Sequence, residues 1–189
     1  MATEVSIVTR YGEADYSGRV DLLLDNYETF EAQIEVCFEG IKYRIKEDRA
    51  YERRHNRGDL GVRVQTSGLS NPTEAAAFEN IEIEEALKSK DFDSEIMRFV
   101  DDVDEIRRDI YVMEIMELDY KMITLQRKLL SKSDQKVLVS FLDEGMDYDA
   151  IADAENIELE SARSRVRRAK GNLKVKMLTF LQNNGRSEF

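Results

Sequence analysis

The chain has 189 residues, room for one domain or two small ones, and 42% of them are hydrophobic, which is enough for a core. One proline and nine glycines favour long helices over a β-sandwich, so the predicted fold class is all-α. The single cysteine and the single histidine exclude an internal disulfide and a two-histidine metal motif, and no apolar run approaches the ~20 residues of a membrane span.

Apolar residues between 17 and 46 recur every three or four positions, which is typical of the buried stripe of a helix. The pattern predicts one long helix, or two helices with a break near Gly40. Cys37 lies beside the stripe and is predicted to be buried. The charge-rich residues 48–57 are interpreted as the solvated end of this helix, with a basic contact surface as the alternative, and His55 is predicted to be exposed.

Residues 58–72 form the main irregular segment, since they contain three of the nine glycines and the only proline. Val62 and Val64 alternate with polar residues, which allows a short extended piece. Asn71 and Pro72 predict the start of a helix that runs from Thr73 to about residue 89, because asparagine is a good N-cap and proline fits the first helical turn.

A further helix is predicted to start at Asp91 or Asp93 and to present an acidic face to solvent. Its apolar stripe contains Ile96, Phe99, Val100, Val103, Ile106, Ile110, Met113, Met116 and Leu118. Residues 120–130 are predicted to form a separate short, basic helix. The paired acids in this region, such as those at 84–85 and 101–102, are interpreted as a solvated face and not as metal or acid–base sites.

Charge is distributed unevenly along the chain. The total is 39 acidic against 28 basic residues, net −11. Yet residues 121–133 hold four basic residues and no acid, and residues 161–189 hold eight basic residues and one acid, Glu188. Because salt screens charges over about 8–10 Å, local charge decides what docks on a helix. The C-terminal stretch can therefore bind a polyanion despite the acidic total.

Residues 129–155 contain the start and stop signals of two short helices. Ser131 or Ser133 is predicted to cap the first, and Gly145 to end it in the left-handed conformation. Asp147 is predicted to cap the second. The inward faces of the two helices carry Val137, Leu138, Phe141, Leu142, Ile151 and Ala152.

A third helix is predicted to start near Glu158, after a turn at Asn156, since asparagine tolerates positive φ better than most residues. Ile157 is predicted to fill the core between the helices. The inward face of the third helix is apolar and contains Ala162, Val166, Ala169 and Leu173, whereas the outward face and its flanks are basic. The pattern predicts a helix-turn-helix with a basic third helix.

This C-terminal quarter resembles region 4 of sigma-70-type factors. The resemblance rests on the glycine that ends the first helix, on Tyr148-Asp149-x-Ile151-Ala152, on Ile157, and on Ser161-Ala162-Arg163-Ser164-Arg165-Val166-x-Arg168-Ala169. Two positions depart from the family: Glu158 replaces a serine N-cap, and Glu155 replaces a leucine. Helical periodicity and charge predict long N-terminal helices in a partner-binding region over 1–120, which includes the irregular segment 58–72, and a connecting segment over 121–133. The resemblance implies that residues 134–180 form a C-terminal helix-turn-helix DNA-binding domain.

Residues 59–73 resemble a segment of phage and prophage late-gene transcriptional activators of Gram-positive bacteria, the RinA/ArpU-like group. The resemblance implies a transcription regulator that activates phage late genes at promoters. Since the sequence shows no membrane span, signal peptide or catalytic motif, we expect a cytoplasmic, non-enzymatic protein without a cofactor. Double-stranded DNA would be its partner, with RNA polymerase and a second copy of the chain as further partners. No binding to a membrane is expected. Two alternatives stay open: a sigma-like RNA polymerase subunit, and a helix-turn-helix DNA-packaging adaptor that forms rings.

The predicted DNA-contacting residues lie on the third helix. Those in its first two turns would approach base edges if the helix end enters the major groove, and those in its later turns would approach phosphates. A glutamate near the start has the chemistry to accept a hydrogen bond from a cytosine amino group. The predicted set is Glu160, Ser161, Arg163, Ser164, Arg165, Arg167, Arg168, Lys170 and Lys174. No catalytic or metal-binding residue is predicted.

Overall fold

A computed structural model of the protein describes residues 6–55 and 72–184. Within these ranges the chain is helical and contains no strand, which confirms the predicted all-α class. The helices are α1 Ile7–Glu13, α2 Tyr16–Asp25, α3 Phe30–His55, α4 Pro72–Ser89, α5 Val103–Arg127, α6 Lys132–Leu138, α7 Tyr148–Glu155 and α8 Leu159–Asn184. A single 3-10 turn spans Glu95–Met97, and a short π-helix spans Val139–Asp143.

The chain divides into two compact units. The terminal unit joins Met1–Ile34 with Val112–Phe189, and the middle unit is Glu35–Tyr111. The predicted irregular segment, with its extended piece at 62–64 and the Asn71 cap, lies outside the described residues. The expected helix after it is present, because α4 begins at Pro72.

The terminal unit is built around aromatic and aliphatic side chains that α1, α2 and α5 bury together. Tyr11 and Phe30 are almost fully buried, and their ring centroids lie 5.8 Å apart. The Tyr11 hydroxyl donates a 2.8 Å hydrogen bond to Oδ2 of Asp119, which is also buried. The buried guanidinium of Arg19 lies 5.7 Å from the centre of the Tyr11 ring. A buried polar cluster therefore links α1, α2 and α5.

Burial raises the pKa of the Asp119 carboxyl above its usual range, even though the Tyr11 hydrogen bond and the charge of Arg19 both act to lower this pKa. Burial is also the largest cause that raises the pKa of the Tyr11 hydroxyl, and the negative charge and hydrogen bond of Asp119 raise it further. The phenol is therefore held protonated as the donor to Asp119.

Both predicted arrangements of residues 17–46, one long helix or two helices with a break near Gly40, are wrong. Gly40 lies inside α3, and the chain breaks earlier, between Asp25 and Phe30. The break lets two aromatic residues, Tyr27 and Phe30, approach the same ring, because their centroids lie 5.2 and 5.8 Å from that of Tyr120. Aromatic packing has thus overridden the helical periodicity at this point.

The predicted start of a helix at Asp91 or Asp93 is also wrong, since α5 begins at Val103. The side chain of Asp102 accepts a 3.3 Å hydrogen bond from the Glu105 amide and satisfies one of the free N–H groups of the first turn. The residues before it still bury Phe92, Ile96, Met97 and Val100, but from turns and the 3-10 segment.

Three further details differ from the sequence predictions. α5 continues without interruption to Arg127, so residues 120–130 are not a separate helix. Phe99 and Leu118 are 39% and 59% exposed and are not part of the buried stripe. Cys37 is half-buried instead of buried, whereas His55 is exposed as predicted.

Within the middle unit, ion pairs supplement the apolar core. Nε of Arg49 lies 2.9 Å from Glu79, and the largely buried ammonium of Lys42 lies 2.8 Å from Glu39 and 3.2 Å from Glu84. The large side chains that are fully buried in this unit are Ile45, Ile83, Leu87, Met97 and Ile106.

Candidate nucleic-acid interface

The turn between α7 and α8 has the predicted local structure. Oδ1 of Asp147 accepts a 2.8 Å hydrogen bond from the Ala150 amide and caps α7. Asn156 ends α7 in the left-handed conformation, with φ of 50°. The next amide, that of Ile157, donates a 3.0 Å bond back to the Ala152 carbonyl. Both capping predictions are confirmed, although Ile157 is half-buried and does not fill the core completely.

The helix before this pair also follows its sequence signals. Ser131, and not Ser133, is the N-cap of α6, because its hydroxyl accepts a 3.1 Å hydrogen bond from the Asp134 amide. Gly145 has φ of +63°, the left-handed geometry that glycine adopts without strain. No local sequence pattern indicates the five-residue π-helix that lies between Ser131 and Gly145.

α8 has one apolar face and one polar face. The four predicted inward residues are buried, and the same face continues with Met177 and with Leu181, which lies just beyond the predicted domain end. Small residues at Ala162 and Ala169 are fully buried, which allows the neighbouring helices to approach closely. Six of the predicted DNA contacts are exposed: Glu160, Ser161, Arg163, Ser164, Arg167 and Arg168.

Arg165 makes an intramolecular ion pair. Its guanidinium lies 2.6 Å from Oε2 of Glu155 in α7, and Oε1 of that carboxylate lies 3.2 Å from the Lys136 ammonium of α6. The Glu155 carboxylate thus links α6, α7 and α8, the three helices of the C-terminal module (residues 132–184). The contact at Glu155 is therefore made by charged groups and not by apolar packing.

The bridge predicts a pH dependence of stability. The hydrogen bond from Lys136 lowers the pKa of the Glu155 carboxyl, burial opposes this shift, and the bond from Arg165 lowers the pKa further. A carboxyl whose pKa is lowered on folding stabilises the fold above its unfolded pKa, and this contribution is lost as the pH falls through the folded pKa.

We therefore expect Glu155→Gln to lower the free energy of unfolding at pH 7 by about 0.5–1 kcal/mol. The difference from wild type should shrink between about pH 5 and pH 3. Urea denaturation followed by circular dichroism across this range measures it. A difference that is the same at pH 7 and pH 3 would contradict the assigned role of the carboxylate.

Arg168 is exposed but lies near a buried acid. Its guanidinium is 3.9 Å from Oδ1 of Asp134, and the Asn172 side chain donates a 3.0 Å hydrogen bond to the other carboxylate oxygen. Asp134 therefore holds α6 against the middle of α8. Sequence reasoning did not identify Asp134 or Asn172. A single acid at the start of a helix is usually exposed to solvent, where it interacts favourably with the helix dipole.

Lys170 and Lys174 are directed toward α2. The Lys174 ammonium lies 2.6 Å from Oδ2 of Asp21, and the Lys170 ammonium lies 4.0 Å from Asp25. Both lysines stay predicted DNA contacts, but they would have to exchange these carboxylates for phosphates. More than 140 positions separate the partners in the sequence, so no local pattern indicates the contact.

Arg163 and Arg167 are two exposed cations in the first half of α8. Arg163 is half exposed, lies 3.7 Å from Glu160 one turn earlier, and has its guanidinium 5.9 Å from the ring centre of Tyr148. Within 6–55 and 72–184, Arg167 has no carboxylate within 4.0 Å. The first two turns of α8 thus present exposed serine, glutamate and arginine side chains.

The chain matches no protein-family model, no curated protein and no solved structure. In the described parts of the chain, no helix has both the length and the apolar character needed to cross a membrane. Over the same residues, no group of three or more histidine, cysteine, aspartate or glutamate side chains is placed to hold a metal ion.

Proposed function

We propose that this chain is a sequence-specific DNA-binding transcription regulator, of the phage late-gene activator type, that acts at promoters with RNA polymerase. The observation that carries the proposal is the α7–α8 pair. A short capped helix, a left-handed turn at Asn156 and a long helix with an exposed polar start are the parts of a helix-turn-helix that enters the major groove.

The proposed contacts follow from which side chains are accessible. Glu160, Ser161 and Ser164 lie at the start of α8, where side chains of a recognition helix meet base edges. Arg163 and Arg167 are next to them, with the length and charge to reach guanine edges or phosphates. Arg165 has a different proposed role, because its guanidinium pairs with Glu155 and holds α7 to α8.

The direct test is selection of binding sites from random duplex DNA with the purified full chain, followed by titration of the selected site at several salt concentrations. If Arg163, Arg167 and Arg168 contact phosphates, the logarithm of affinity falls with the logarithm of salt at a slope of about −2.7, at ~0.9 per contact. Failure to enrich any sequence, or an affinity independent of salt, would overturn the proposal.

Arg167→Ala gives a sharper prediction. We expect it to weaken binding of the selected site and to reduce the magnitude of the salt slope by about 0.9, with no change in melting temperature, because Arg167 makes no ion pair among the described residues. Arg10→Ala in α1 is the matched control, since it removes the same charge from an exposed position outside the module. An equal loss in both variants would assign the effect to net charge.

A further inference from the structure

Two acidic residues of α2 pair with two lysines of α8. Both carboxylate oxygens of Asp21 lie within 2.6 Å of the Lys174 ammonium, and Oδ1 of Asp25 lies 4.0 Å from the Lys170 ammonium. The two acids are four positions apart in the sequence, and so are the two lysines. Because four residues advance a helix by about 6 Å, each pair of like charges lies on one face of its helix, one turn apart. The contact therefore matches one turn of α2 to one turn of α8.

The lysines at this contact are less accessible than two arginines nearer the start of α8. The side chains of Lys170 and Lys174 are 26% and 30% exposed, against 50% for Arg163 and 62% for Arg168. A phosphate that approached either lysine would also come close to the carboxylate that already pairs with it, and like charges repel. The two lysines are thus both shielded from solvent and occupied by an anion of the same chain.

The packing of α2 holds the two carboxylates at this place. α2 packs against α8, and both helices bury apolar side chains in the terminal unit. The buried residues are Val20, Leu23 and Leu24 of α2 and Leu173 and Met177 of α8. Because the acids belong to a packed helix of the same molecule, they compete for the lysines at a high effective concentration. DNA, in contrast, has to bind from solution.

We propose that Asp21 and Asp25 compete with DNA phosphates for Lys170 and Lys174, so that α2 weakens the binding of DNA by α8. The inference rests on the proposed function, since it assigns a regulation to the same helix. A duplex that reaches the later turns of α8 has to replace each carboxylate by a phosphate. This exchange of one anion for another gives little net gain, so wild-type binding depends on the earlier turns of α8.

Site selection with both wild type and Asp21→Asn/Asp25→Asn, followed by titration of the selected duplex, tests the proposal. The double variant should bind up to about tenfold tighter, because two partly exposed ion pairs no longer oppose the phosphates. The magnitude of its salt slope should rise by about 1.8, at ~0.9 for each lysine that reaches a phosphate. Glu13→Gln/Glu117→Gln is the matched control: it removes two charges from exposed positions of α1 and α5, so the salt slope should keep its wild-type value.

The lysines give an independent readout. Lys170→Gln/Lys174→Gln should weaken binding little in the wild-type chain, but should abolish the gain of Asp21→Asn/Asp25→Asn. Circular dichroism confirms that each variant is folded. If neither wild type nor the aspartate variant enriches any duplex, the proposed function and this inference both fail. If wild type binds the selected duplex and the aspartate variant binds no tighter than the control, DNA binding stands and the competition by α2 is overturned.

Discussion

Asp119→Ala should lower the free energy of unfolding by about 3–5 kcal/mol, the range seen when one member of a buried charged cluster is removed. Asp119 accepts the Tyr11 hydroxyl at 2.8 Å and is buried close to the equally buried Arg19. Without the carboxylate, the Tyr11 donor loses its acceptor, and the positive charge of Arg19 loses a nearby negative one. Urea denaturation followed by far-ultraviolet circular dichroism measures the change.

Tyr11→Phe is the control for this prediction. It removes the hydrogen-bond donor but keeps the ring and its packing against Phe30, so the expected cost is about 1 kcal/mol. If the two variants are equally destabilised, the charge of Asp119 contributes nothing beyond the hydrogen bond. That result would rule out electrostatic coupling between α2 and α5 at this cluster.

Leu138→Ala should destabilise the terminal unit by about 2–5 kcal/mol, because it removes a fully buried side chain and leaves a cavity. Leu138 is the last residue of α6, where the chain passes into the π-helix. The neighbouring Val139 is 37% exposed, so Val139→Ala should cost no more than about 0.5 kcal/mol.

Both variants are compared by urea denaturation, with DNA binding measured at a urea concentration where each is fully folded. We expect the folded fraction of Leu138→Ala to bind the selected DNA with wild-type affinity, because Leu138 supports the module without reaching its surface. Equal stability of Leu138→Ala and wild type would show that the π-helical segment repacks to fill the cavity.

The sequence was most informative where the signals are local. The caps at Asp147 and Asn156 and the apolar spacing of the third helix each depend on a few consecutive residues, and all three were predicted correctly. The all-α class follows from composition and is likewise confirmed. Helix boundaries that depend on tertiary packing were predicted less well, as the break before Phe30 shows.

In the candidate site too, local features were predictable and contacts between distant residues were not. The exposed start of α8 was predictable, because its polar residues alternate with buried alanine and valine. The ion pairs of Arg165, Lys170 and Lys174 were not, since helical spacing shows which way a side chain points but not what it meets there. Contact of these residues with DNA stays a prediction.

The packing of α2 against α8, two helices far apart in the sequence, has a consequence for synthesis on the ribosome. The middle unit, Glu35–Tyr111, is continuous in sequence and can fold as soon as it leaves the exit tunnel. α2 must wait for α8, whose Lys174 contacts Asp21. At about 5–20 residues per second, this wait is on the order of ten seconds. During that time the apolar residues of α1 and α2 lack their final partners, so these two helices of the nascent chain should need chaperone protection.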